Sequence, residues 1–206
     1  MSFMSRVEPK AIPKSMLPDA KPDGLEWALG ILCSYSFLVR REENDVLYMQ
    51  SLVHAATRAW LHKQDQDRRV ANDAICHLVA RFPWKGDVHH EGVLPHAMRL
   101  ISRNHEENTV GIYQLIIKAG HSFYADRRFK EETNCFEKEC QWRQGYDSER
   151  DADRLVSEYD LASTYIKVRE PRQAIEMLEH IVAVDERTLD GKDQNELLSE
   201  NQLARA

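Results

Sequence analysis

The sequence predicts a mainly α-helical chain: a mixed N-terminal segment with one β-hairpin, followed by a stack of helical hairpins. Three observations predict it. Leu161-Ala162 returns as Leu203-Ala204, an offset of 42, and the same offset backwards lands on Ala119-Gly120. At that offset Phe123 stands for Tyr165, Phe129 for Pro171 and Phe136 for Leu178. A small residue, an aromatic three or four residues on and a second apolar run after a short break describe a two-helix unit that repeats. Neither helix of such a unit can bury its apolar stripe alone, so neighbouring units stack. The third observation is an alternation of apolar and polar residues near position 40, confined to the N-terminal part, which marks strands.

Taken in order, Met1 to Pro18 reads as short helical pieces broken by Pro9, Pro13 and Pro18. Asp19 to Gly24 is a turn. Leu25, Ala28, Leu29 and Leu32 then recur at helical spacing, with Asp23 as N-cap. Tyr35, Phe37 and Val39 alternate, and so do Val46 and Tyr48. The polar run Arg40-Arg41-Glu42-Glu43-Asn44-Asp45 between them completes a β-hairpin. Ser51 is expected to cap a helix whose apolar residues are Leu52, Val53, Ala56, Trp60 and Leu61.

Gln64 to Arg69 reads as a charged loop. Val70, Ala74, Ile75, Leu78 and Val79 form a helical stripe that stops at Phe82-Pro83, where proline cannot continue it. Leu94, Ala97, Met98, Leu100 and Ile101 form the next helix, with Pro95 in its first turn. Ser102 to Thr109 is a polar break.

The repeats follow. The first unit pairs a helix over Val110 to Ala125 with one over Phe129 to Gln144. The second pairs Asp153 to Val168 with Pro171 to Leu189. Pro171 suits a first helical position, and Gly191 a helix end. Glu132 departs from the pattern, because Ala174 stands at its place in the second unit. Glu196 to Ala206 opens a third unit without its mate, and so short a lone helix is marginal in water. Fraying or pairing with another chain is expected there.

The residues Leu161, Ala162, Tyr165 and Ala174 in this 42-residue period resemble the tetratricopeptide repeat in the longer form found in kinesin light chains and many fungal proteins. The resemblance covers about Val110 to Ala206. In the N-terminal part, helices followed by a two-stranded hairpin make a winged-helix arrangement. There Ala11-Ile12-Pro13, Ala28-Leu29-Gly30-Ile31-Leu32 and Tyr48-Met49-Gln50-Ser51-Leu52-Val53-His54 look like the winged-helix segment of fungal NB-ARC proteins. Those are signalling NTPases, many of which end in this long repeat, and the order of parts agrees. The resemblances imply three segments: a winged-helix-like domain over 1–63, a linking helix pair over 64–109 and tetratricopeptide-like repeats over 110–206. They also imply a chain that starts after the nucleotide-binding domain. At the phosphate-sensing histidine position of the family stands Gln50, which donates a hydrogen bond but carries no charge.

The chemistry in the residues is sparse. No GxxxxGK[ST] loop is present to wrap phosphates, so no cofactor is expected. Net charge is −6, with eight Lys/Arg against seven Asp/Glu in residues 1–63 and 20 against 27 in the rest. An acidic repeat region does not track a phosphate backbone, and Arg40 and Arg41 are offset at once by Glu42 and Glu43. The apolar runs fall short of the ~20 residues a membrane-spanning helix needs, and Met1 to Lys10 has no apolar signal-peptide core. Cys33, Cys76, Cys135 and Cys140 match neither a CxxC pair nor a disulfide framework, and they read as free thiols in a reducing, cytoplasmic setting. His89, His90, Glu91 and His96 lack the ladder of a zinc site, and no nucleophile elbow is present.

A non-enzymatic protein-interaction scaffold is therefore expected, a fragment similar to the arm of a fungal NB-ARC/tetratricopeptide signalling protein. The resemblance implies a role in self/non-self recognition or incompatibility. A kinesin-light-chain-like cargo adaptor, and a regulatory subunit that completes an ADP-binding NTPase, are the alternatives. In such arrays the first helix of each hairpin lines a concave groove. The resemblance places Gln114, Ile117, His121, Tyr124 and Ala125 there, then Val156, Tyr159, Ser163, Ile166 and Lys167, and lastly Leu198 and Asn201. A peptide in that groove is the expected partner, with Tyr124 and Tyr159 as amphipathic anchors and Lys167 holding a carboxylate or carbonyl. Phe123 and Tyr165 are expected in the core. Self-association through the unfinished third repeat is a further expectation.

Overall fold

The computed structural model describes residues 1–18, 22–41, 43, 45–82, 92–103 and 110–186. Contacts divide the chain into two units, Met1–Lys118 and Ala119–Ala206. The first holds strands β1 (Ile12–Pro13), β2 (Leu38–Arg41) and β3 (Val46–Met49), with helices α1 (Pro22–Ser34), α2 (Ser51–Lys63), α3 (Asp67–Arg81) and α4 (Leu94–Arg103). Helix α5 (Val110–Ala125) begins in the first unit and ends in the second, where α6 (Phe129–Tyr146), α7 (Ala152–Lys167) and α8 (Pro171–Glu186) follow.

The hairpin of β2 and β3 is antiparallel, pairing Leu38 with Met49 and Arg40 with Leu47. The strip it buries is Leu38, Leu47 and Met49, while Tyr35, Phe37 and Val39 are exposed. The apolar alternation thus marks the outer face. The segment expected as short helical pieces keeps one, a 3-10 turn over Lys14–Met16, and also supplies a third strand, since Ile12 pairs with Leu47 and the sheet order is β1-β3-β2. Met49 N–H reaches Pro9 O at 2.8 Å, and Lys14 N–H reaches Asp45 O at 3.0 Å. Backbone pairing with β3 outweighs helix formation in a stretch that prolines already disfavour.

Two expected caps move. Helix α1 begins at Pro22, so Asp23 lies in its first turn. Helix α2 has Gln50 at its N-cap, with no side-chain bond, and Ser51 inside it. Its buried residues are His54 and Leu61, while Leu52 and Trp60 are exposed. The charged loop expected up to Arg69 is shorter, because α3 starts at Asp67. Helices α3 and α4 bury the stripes read from the sequence, chiefly Ala74, Ile75, Leu78, Leu94, Ala97, Leu100 and Ile101.

The N-terminal segment is tied down by side chains from later helices. His54 Nε2 lies 3.3 Å from Val7 O, His77 Nε2 lies 2.9 Å from Met16 O, and His96 Nε2 lies 3.2 Å from Ala11 O. Arg99 pairs with Glu8 at 2.9 Å, and Arg6 pairs with Asp67. The three histidine bonds satisfy backbone carbonyls that no regular structure uses, as buried polar groups require. Buried Lys118 closes the end of α3 in the same way, donating to Val79 O and Phe82 O, both at 2.8 Å.

The second unit carries the 42-residue period in its backbone. Arg127 and Arg169, one period apart, are the left-handed residues that end α5 and α7, with φ of 58° and 65°. Beside them Arg128 N–H donates to Phe123 O at 2.8 Å, and Glu170 N–H donates to Tyr165 O at 2.9 Å. This is the same helix-terminating motif twice. At the crossings Gly120 faces Phe136, where an added Cβ would stand 3.0 Å from a ring carbon. In the second hairpin Ala162 and Leu178 share one buried cluster with Ile181. The smaller residue faces the larger partner, so both crossings stay close-packed. The class these observations define is mainly α with a small sheet, ending in helical-hairpin repeats of the tetratricopeptide-like kind. Gly191 and the expected third helix over 196–206 lie outside the described residues.

Candidate functional site

The candidate site is the face of α5 and α7 on which the repeat pattern places the groove. Gln114, Ile117, His121 and Tyr124 follow at helical spacing along one side of α5. Gln114 and Ala125 are exposed, and Ile117 is half-buried. His121 is half-buried, with its ring edge-to-face against Phe136 at 5.4 Å. Tyr124 is 42% exposed. On α7, Val156 is 56% exposed. Tyr159, Ser163 and Ile166 are half-buried, and Tyr159 packs against Ala162, Leu178 and Ile181. Leu198 and Asn201 lie outside the described residues.

Lys167 links three elements. Its ammonium lies 4.2 Å from the centroid of the Tyr124 ring on α5 and 3.0 Å from Glu132 Oε1 on α6. Glu132, the departure from the repeat pattern, is almost wholly buried. The pair explains how a carboxylate occupies a crossing where Ala174 stands in the next unit. A buried charge is tolerated where it is paired and hydrogen-bonded.

Two further buried carboxylates stand below this face. Glu139 accepts from Ser157 Oγ at 2.7 Å and from Arg143 Nε at 3.1 Å. Burial pushes its carboxyl above the ordinary carboxylate range, against the pull of those two bonds. Glu158 is held by Arg154 at 3.0 Å and by His180 Nδ1 at 3.2 Å, and His180 Nε2 also meets Glu149 at 3.0 Å. The sequence singles out Glu132 as a departure from the repeat but not its partner, and gives no sign of the other two clusters. Glutamates at mid-helix carry no local signal of burial, although Arg154 and Glu158 do sit at the spacing that pairs side chains along a helix.

The two aromatics expected in the core differ in burial. Phe123 is buried, with the Arg128 guanidinium 4.5 Å over its ring. Tyr165 is only partly buried against Phe136, Cys140 and Leu161, and its hydroxyl donates to Glu137 at 2.9 Å.

Nucleophilic chemistry finds no support here. Cys135 and Cys140 are buried free thiols. Burial pushes Cys135 up to about 12, and Cys140 is raised in the same direction. Reactive cysteines need the opposite shift, towards thiolate. Among the described residues no group of three or more His, Cys, Asp or Glu could hold a metal ion. His96 is spent on Ala11, and residues 89–91 lie outside the described residues. Among those described, no helix is long and apolar enough to cross a membrane. Gln50 is exposed. Its N–H donates to Phe37 O at 3.1 Å, and its carbonyl accepts from His54 N–H at 2.9 Å.

The fold is that of a helical-hairpin repeat protein, and the candidate site lies on helix faces of α5 and α7. No protein-family model matches the chain. It is similar to a nucleotide-binding leucine-rich repeat (NLR)-like protein of Hyaloscypha variabilis, 26% identical over 137 residues. That alignment covers 63% of this chain and 14% of the relative, so the chain spans a small part of that protein's length. Among solved structures it is similar to a crystal structure from Podosopora anserina described as a kinesin light chain with nearly identical TPR-like repeats. The two are 17% identical with a TM-score of 0.48, over 88% of this chain and 74% of the other.

Proposed function

We propose that this chain is a protein-interaction scaffold belonging to an NLR-like signalling protein of NB-ARC type, and that it works in the cytoplasm by binding rather than catalysis. The similarity to an NLR-like protein supports the NLR-like context, and a role in self/non-self recognition is part of the proposal. In this reading residues 1–63 form a winged-helix-like domain, 64–109 a linking pair and 110–206 the repeats. His121, Tyr124, Tyr159, Ser163, Ile166 and Lys167 belong to one peptide groove. Gln50, without charge, does not make the chain an ADP-binding protein by itself. Self-association through residues 196–206 belongs to the same reading.

The observation that carries the groove is the exposure of Tyr124 and Val156 beside Lys167, whose ammonium is held by buried Glu132. Large amphipathic side chains held on rigid elements are what interface hot spots require. Lys167 steadies the Tyr124 ring, and an ammonium with three donors has capacity left for a peptide carbonyl. The test is selection of 12-residue peptides on the full chain, followed by calorimetry. The selected peptides are expected to lose about ten-fold or more in affinity on Tyr124→Ala with Val156→Asp, at unchanged melting temperature. Equal binding by the double variant would overturn the groove assignment.

A further inference from the structure

We infer that an open groove formed by α6, α7 and α8 is a second binding site, which takes an extended peptide through one arginine or lysine side chain. The groove has a volume of about 330 Å³ and is lined by Gln144, Arg154, Glu158, Tyr165, Met177 and His180, with Gln173 and Glu176 on its rim. That volume is at the lower end for ligand sites and fits one long side chain with its flanking backbone.

The charges already present decide the sign of the occupant. Arg154 is turned to its own chain, with Nε on Glu158 Oε1 at 3.0 Å and Nη1 on Asp147 O at 3.3 Å, so its charge is matched by Glu158. Glu158 is spent in turn, because its second oxygen meets His180 at 3.2 Å. His180 also holds Glu149, and the Tyr165 hydroxyl is turned to Glu137. Each cationic group is thus matched by a carboxylate of this chain. Glu176 is different, since it makes no hydrogen bond or ion pair among the described residues. An anionic ligand would meet Glu176, Glu137 and Glu149, while the charge of Arg154 is already matched by Glu158. A cationic one neutralises Glu176 and enters a region that is already acidic.

The rest of the lining suits the same occupant. Met177 and the Tyr165 ring are half-buried and belong to the apolar clusters of α6, α7 and α8. They offer a surface for the methylene stem of a basic side chain, which buries its stem and leaves its head polar. An aromatic face also attracts a guanidinium. The amides of Gln144 and Gln173 bond to no described side chain, and each can donate to and accept from a peptide bond. None of these residues belongs to the α5–α7 face, so the two sites stand or fall separately.

The test is a titration of the isotopically labelled full chain with the blocked heptapeptide Ala-Ala-Ala-Arg-Ala-Ala-Ala, followed by amide NMR. The citrulline analogue, neutral but nearly isosteric, is run beside it. Saturable shifts are expected at Gln144, Gln173, Glu176 and His180 with the arginine peptide. Glu176→Gln should weaken binding about five-fold without altering the far-UV spectrum, as for one partly screened ion pair. Raised salt should weaken it further. Equal responses to arginine and citrulline would overturn the inference. So would the absence of saturable shifts up to about 5 mM peptide. Shifts confined to Tyr124 and Val156 would overturn it too, while supporting the groove on α5 and α7.

Discussion

Exchanging the crossing of the first hairpin for that of the second tests whether the repeat is a packing unit. The first crossing uses Gly120 against Phe136; the corresponding residues of the second are Ala162 and Leu178. Gly120→Ala alone gains about 1 kcal/mol of helix propensity. Its new Cβ, however, stands 3.0 and 3.2 Å from two ring carbons and 3.3 Å from Cys135 Cβ. The ring cannot yield easily, being held between His121, Cys140 and Leu161. Overpacking of this kind costs roughly 1–3 kcal/mol, so the net loss is about 1 kcal/mol. Phe136→Leu alone leaves a partial cavity and costs about 1.5 kcal/mol. Together the strain disappears while the propensity gain remains, and the expected net loss is about 0.5 kcal/mol against roughly 2.5 for independent changes. The coupling of about 2 kcal/mol is read by urea unfolding followed by far-UV circular dichroism. Additivity within about 0.5 kcal/mol would refute the claim that these residues are matched.

Three further outcomes follow from the buried polar groups. Burial holds His96 and His54 below the ordinary histidine value of 6.5. Their contribution to stability is fully present above 6.5 and is lost as pH falls from there through the depressed folded values; denaturation midpoints at pH 7.5 and 5.5 should differ, and His96→Asn should flatten the difference. Lys167→Met leaves the Glu132 carboxylate buried without its cation and should cost about 3 kcal/mol. Glu132→Ala added to it, matching Ala174, should recover most of that in the same urea assay, and no recovery would mean that the pair is not what tolerates Glu132. Iodoacetamide should modify exposed Cys76 well before Cys135 or Cys140 in the native protein, as mass spectrometry of timed samples would show; early labelling of Cys135 would contradict its raised, buried thiol.

Much of the second unit was legible before any coordinates. The limits of α5 were read to the residue, and Pro171 was placed at the first position of α8. Both rest on short-range rules: a small residue at each crossing, a proline where its missing N–H does no harm, and a period set by the hairpin itself. Less of the first unit was legible. The two-residue strand β1 has no local signature, because only pairing with Leu47 makes it a strand. The outward turn of Tyr35, Phe37 and Val39 was equally hidden, since alternation gives a period of two without saying which face meets the core.

The sequence by itself determined that this protein is mainly helical, the limits of α5 to α7 to within two residues, and the interval between the first two hairpins. Those features follow from backbone geometry and from neighbours a few residues apart. Tertiary structure alone decided which faces are covered and which charges are buried. Glu132 depends on Lys167, Glu139 on Ser157, and Glu158 on His180. These partners lie on other helices, and it is the solvent they exclude that turns ordinary helix-surface glutamates into the polar interior of the repeats.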